Sequence, residues 1–114
     1  MVKKTYKIPE YIKVAGIKFY VENLPVDLAI AKKRYAEIRY LEGKILIDLS
    51  VGDQLHVLDC LLHEITHAIY RQYKIESADN EERTVTTMAT AWVQIYVDNP
   101  DLIKFIASVT KGQE

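Results

Sequence analysis

Apolar and polar positions change rhythm partway along the chain. As far as Leu49 the apolar residues fall in short alternating runs, and beyond it they recur at three- and four-residue steps. Tyr11 to Val14 and Ile17 to Glu22 flank the turn signal Ala15-Gly16, which predicts a hairpin. Asn23-Leu24-Pro25 interrupts, and Val26 to Lys33 reads as a short helix or a loop. Tyr35 to Leu41 alternates in part and Glu42-Gly43 turns. Ile45 to Leu49 then returns as a strand, with Leu46 facing away from Ile45 and Ile47.

The second half predicts helices. Leu55, Leu58, Leu62, Ile65 and Ile69 recur at helical steps, with Leu61 and Ala68 flanking them. A helix from about Val51 to Tyr73 follows, opened by Ser50 and Asp53 at capping-box spacing and closed by the basic Arg71 and Lys74. A second helix starts at Asp79 or Asn80 and carries an apolar stripe of Val85, Met88, Ala89, Trp92, Ile95 and Tyr96. Asn99-Pro100 caps a last helix from about Asp101 to Val109, with Leu102, Ile103, Phe105 and Ile106 turned inward. The tail from Lys111 reads as frayed. The expected fold is α+β: a small, mainly antiparallel twisted sheet packed on two long helices and a short C-terminal one.

Within the first long helix the chain reads LLHEITHAIY. His63 and His67 are four apart, so they share a face about 6 Å apart along the axis. Two imidazole nitrogens placed so can converge on one metal at about 2 Å each. Glu64 is turned about 100° from His63, which directs it beside a bound water rather than into the metal's ligand shell. HExxH on a helix is thus a zinc site with its general base. The motif is short enough to arise by chance. Set against that, two imidazoles and a carboxylate between Leu61, Leu62, Ala68 and Ile69 would be costly to bury without a metal or hydrogen-bond partners.

Counting narrows the third ligand. The chain has three histidines, none after His67, and one cysteine. His56 is about 10 Å along the axis from His63, too far to share a metal with both, and is expected to be solvated. Cys60 is expected as a small buried hydrophobe. A carboxylate remains, and Glu81 and Glu82 stand at the head of the next helix. Asp79 and Glu82 also have capping-box spacing, and periodicity does not choose between the two glutamates.

These segments resemble the gluzincin metallopeptidases, and most of all the short phage- and prophage-borne members akin to the ImmA/IrrE peptidase group, including the single-domain minigluzincins. The resemblance rests on VAGIKFYVE, ILIDLS, LLHEITHAIY, NEERTV with TTMA, and DNPDLIKF, of which HEITH is the specific part. It implies a zincin-like fold, with His63, His67 and Glu82 as zinc ligands and Glu64 as base. Glu82 is chosen because Val85 and Ala89 follow it at the family's spacing; Glu81 is the reserve. Larger gluzincins carry a further downstream histidine that stabilises the tetrahedral intermediate, and this chain has none. The resemblance implies hydrolysis of a peptide or protein substrate; a tyrosine could substitute for that histidine, and the sequence does not say which of the chain's eight. The strand Ile45 to Leu49 would pair with the extended peptide. The alternative is a zinc-stabilised phage or prophage regulatory interaction module without turnover.

Composition bounds the rest. At 114 residues, 49% of them apolar, the chain fits one domain over residues 1–114. Net charge is -1, and Lys32-Lys33-Arg34 reads as a solvated face, which argues against nucleic-acid binding. No apolar run approaches the roughly 20 residues of a membrane span. The start MVKKTYKIPEY lacks a signal peptide's apolar region, and a single cysteine suits a reducing compartment, so cytoplasm is the expected location. Oligomeric state is left open.

Overall fold

A computed structural model describes residues 7–76 and 80–112. Strands β1 (Tyr11–Val14) and β2 (Ile17–Asn23) form the expected hairpin, and helix α1 (Val26–Lys32) follows. Then come β3 (Ala36–Arg39), β4 (Lys44–Ile47) and a 3-10 turn at Leu49–Val51. Three helices complete the chain: α2 (Gln54–Gln72), α3 (Glu81–Asp98) and α4 (Pro100–Lys111). The fold is α+β, and its sheet is mixed. Strand order is β1-β2-β4-β3, with β2 and β4 parallel and both outer pairs antiparallel.

The hairpin turns in two residues because Ala15 and Gly16 both take positive φ, at 50° and 81°. That pairing of signs matches the right-handed twist of the strands it joins. Alternation then sorts the sheet into two faces. Ile12, Val14, Phe19, Ile45 and Ile47 pack against α2 in the main core. Leu46 points the other way, into a small cluster with Leu24 and Ala29 of the α1 side. The expected opposition of Leu46 to Ile45 and Ile47 holds.

Four helix expectations are corrected. The opening of α2 is capped by Asp53, whose carboxylate accepts from the Leu55 N–H at 3.0 Å, rather than by a Ser50 box. Its buried stripe is Val57, Leu58, Leu61, Glu64, Ile65, Ala68 and Ile69, while Leu55 is exposed and Leu62 half-buried. The buried arc is therefore turned from the one expected, and the turn carries Glu64 inside. In α3, Ala91 and Ile95 are buried with Met88 and Trp92 packed beside them, but Val85, Ala89 and Tyr96 are exposed. A helix of 18 residues is about 27 Å long, whereas four-residue β1, against which it packs, covers about 13 Å. In α4 the buried residues are Leu102, Phe105 and Val109, and Ile103 is exposed.

Asn80 is the cap of α3, accepting from the Arg83 N–H at 2.8 Å; the other candidate, Asp79, and its box with Glu82 lie outside the described residues. Asn99 does more than precede α4. Its side chain is buried, accepts from the Lys13 N–H at 2.7 Å, and donates to the carbonyls of Lys13 at 2.9 Å and Ile95 at 2.7 Å. This ties β1 to the α3–α4 junction across 86 residues of sequence.

Candidate metal centre

Helix geometry alone brings the two motif histidines together. Their Nε2 atoms are 3.2 Å apart and their ring centroids 4.8 Å apart, with both side chains at the exposed edge of the buried arc. At metal–nitrogen bonds of about 2.05 Å, that separation corresponds to an angle of about 103° at a shared ion, close to tetrahedral. The same separation suits a hydrogen bond between one protonated and one bare ring nitrogen. Donor atoms of His63, Glu64 and His67 all lie within 4.8 Å of one another.

Glu64 distinguishes the two possibilities. It is 5% exposed, and among the described residues its Oε2 has no hydrogen-bond partner. Burial pushes its carboxyl above the ordinary glutamate range, opposed by the two imidazoles and by Arg34. A buried carboxylate oxygen with nothing to bond costs stability, and a histidine–histidine hydrogen bond does nothing to relieve it. A cation held by the histidines, or water ordered by that cation, relieves it directly. The donor set fits a borderline-soft ion such as zinc.

The glutamates of α3 stand elsewhere. Glu81 and Glu82 are both exposed in the first turn of α3, and neither joins the His63–Glu64–His67 group. His56 is not solvated as expected. It is half-buried, with its ring edge-on to Tyr35 at 4.8 Å and its Nε2 3.6 Å from the Cys60 sulfur. Cys60, expected to be buried, is half-buried against the core, and burial raises its thiol pKa. The expected role of Ile45 to Leu49 in strand addition is overturned by topology. β4 lies between β2 and β3 and has no free edge, so the edge near the motif helix is β3.

Two surroundings of the site go beyond the motif residues. An open hollow of about 270 Å³ adjoins the histidine pair, lined by His63, Thr66, His67 and Tyr70. Tyr70 could have been found by spacing, since it lies three residues after His67 and seven after His63. On the inner side, the Arg71 guanidinium sits over the Tyr40 ring, 4.3 Å from its centroid. Tyr40 directly follows β3, and its phenol pKa is raised by burial and by the negative charge of Glu64. Nothing in the sequence pairs Tyr40 with that helix.

Among the described residues no helix is long and apolar enough to cross a membrane. Comparison of the chain with family models, with curated proteins and with solved structures finds no match.

Proposed function

We propose that the protein is a zinc-dependent peptidase of gluzincin type, with His63 and His67 holding the ion and Glu64 acting as general base. The observation that supports it best is the buried, unpartnered Glu64 oxygen beside two imidazole nitrogens at ligand spacing. A purely structural metal site has no use for such a carboxylate. Zinc, when bound, supplies a Lewis acid that makes water acidic near neutral pH and polarises a carbonyl.

The chain's own residues account for the remaining steps. Glu64, held in a low-dielectric position by Leu61, Ile65 and Ala68, has its basicity raised by burial, which suits proton transfer near neutral pH. It takes the proton from the attacking water and returns it to the leaving amine. Edge strand β3, antiparallel to β4, offers its open side to an extended peptide, in place of the β4 pairing that the topology excludes. Glu82 is the proposed third ligand on the strength of the resemblance, reached from the exposed first turn of α3.

A second reading is a zinc-stabilised interaction module without turnover. It is favoured by the separation of Glu82 from the other donors. Metal analysis after zinc loading and dialysis tests both: about one zinc per chain is expected in wild type, and little in His63→Ala or His67→Ala. Equal zinc in all three removes the metal site. A peptide library then separates the readings, because the peptidase requires cleavage by wild type and none by Glu64→Gln.

A further inference from the structure

Helix α3 keeps all of its charge at its two ends. Glu81, Glu82 and Arg83 open it and Asp98 closes it, and the run TVTTMATAWVQIYV between them carries none. The solvent sides of the neighbouring helices do carry charge, with Asp59 and Arg71 exposed on α2 and Asp101 and Lys104 on α4. On α3 the exposed residues are apolar instead: Val85 is 53% exposed, Val93 64%, Val97 69% and Tyr96 40%. With exposed Ala89, the three valines stand four residues apart and form one ridge about 18 Å long, on the side opposite buried Ala91 and Ile95. Thr86, Thr90 and Gln94 flank it, exposed and uncharged. The run is also rich in β-branched residues, which disfavour a helix unless packing supports it.

We propose that this ridge is the contact face of a homodimer, in which α3 of one copy crosses α3 of a second about a twofold axis. A ridge of i, i+4 side chains fits the groove beside the same ridge on another helix, at a crossing of about −50°. An antiparallel crossing centred between Ala89 and Val93 sets Val85 against Val97 of the second copy and puts small Ala89 where the axes run closest. The charged ends then splay apart into water, so no charge is buried. The exposed parts of the ridge and its flank amount to roughly 500 Å² per copy, hence about 1,000 Å² in total, which reaches the lower bound for a specific interface and implies a dimer of micromolar or weaker affinity. A lipid surface is a poorer occupant, because three acids stand at the ends of the run with only Arg83 to offset them. The ridge involves neither motif histidine, so the inference is independent of the metal reading.

Sedimentation velocity of the full chain in chelator, from about 5 to about 500 μM to span that affinity range, tests this. The mass should rise from one chain to two, and the melting temperature should rise with concentration, because association stabilises the folded chain. Val93→Glu and Val97→Lys, both at positions more than half exposed in the single chain, should stay monomeric at the top concentration while matching the circular dichroism of dilute wild type. Ile30→Glu, an equally drastic change at a 72%-exposed residue of α1, should dimerise as wild type does. A mass of one chain throughout overturns the proposal. So do dimers that persist in both α3 variants, or an equal loss in Ile30→Glu. Assembly beyond two chains also overturns it, since a twofold contact closes on itself. A monomer that instead sediments with phosphatidylcholine or phosphatidylglycerol vesicles gives the ridge to a membrane surface and removes the dimer.

Discussion

Replacing Glu64 by glutamine should make the metal-free protein more stable, an unusual result for a change in a buried residue. Wild type keeps a 5%-exposed carboxylate with one oxygen unpartnered, and glutamine keeps the shape without the charge. An unsatisfied buried polar group costs about 1–3 kcal/mol, and more when charged. The amide remains polar and is itself imperfectly bonded, so a net gain of about 1–2 kcal/mol at pH 7 is the reasonable expectation. For a chain of this size each kcal/mol is worth about 4–8 °C in melting temperature. The pH dependence carries the sign. Burial raises the folded-state pKa of Glu64 above its unfolded value, so the native state holds the proton more tightly than the unfolded chain does. Relative to the glutamine variant, wild type is therefore unpenalised below about pH 4, where both states are protonated. Its deficit grows as pH rises through the folded pKa, then stays constant. Urea unfolding of both proteins in chelator at pH 4 and pH 7 measures this, and groups common to both cancel in the difference. A glutamine variant less stable than wild type at pH 7 would refute the reasoning, because Glu64 would then have a native partner. Zinc loading should raise the stability of both proteins, since ions that bind only the native state add to it.

Three other outcomes follow from the same geometry. Asn99→Ala should cost about 2–4 kcal/mol in denaturant unfolding, because it strips partners from the Lys13 N–H and from two carbonyls; Asn99→Asp, unable to donate to either carbonyl, should cost nearly as much. Glu82→Ala should weaken zinc binding in competition with a chelator more than Glu81→Ala does, while neither shifts metal-free stability by more than about 1 kcal/mol, since Asn80 supplies the cap. Ala15→Gly should raise thermal stability by about 1 kcal/mol by removing the Cβ from a residue at φ 50°, and no change in melting temperature would count against strain at that turn.

What the sequence made legible divides by the range of the interactions involved. The hairpin at Ala15-Gly16, the opposition of Leu46 to Ile45 and Ile47, and the proximity of His63 and His67 all depend on the local period of the backbone. The order of strands does not. Strands β3 and β4 form a sequence-local hairpin, but it is the parallel pairing of β2 with β4, across α1, that makes β4 internal and leaves β3 at the edge. That pairing has a long loop-closure distance and no local signature, which is why the sequence does not show that Ile45 to Leu49 lacks an open edge. The partial burial of His56 against Tyr35 is the same kind of event, a contact between a strand end and a helix.

The site itself shows where the boundary falls. Periodicity fixes His63, Glu64 and His67 relative to one another to within a rotamer, so their clustering needed no tertiary information. Which of them goes inside is a different question, decided by how α2 is rotated against the sheet. An arc that takes in Leu55 and Leu62 leaves Glu64 outside it; the structure centres the arc near Leu61 and Ile65, which brings Val57 and Glu64 inside its edge next to His67. The difference is chemical as well as geometric, because burial is what raises the proton affinity of Glu64 and leaves its oxygen unpartnered. Glu82 depends on a third level, the docking of one helix head against another helix's flank. The first turn of α3 has no apolar residue in its buried register, so packing there does not compel that approach, whereas an ion bridging His63, His67 and Glu82 would supply the attraction that the side chains lack.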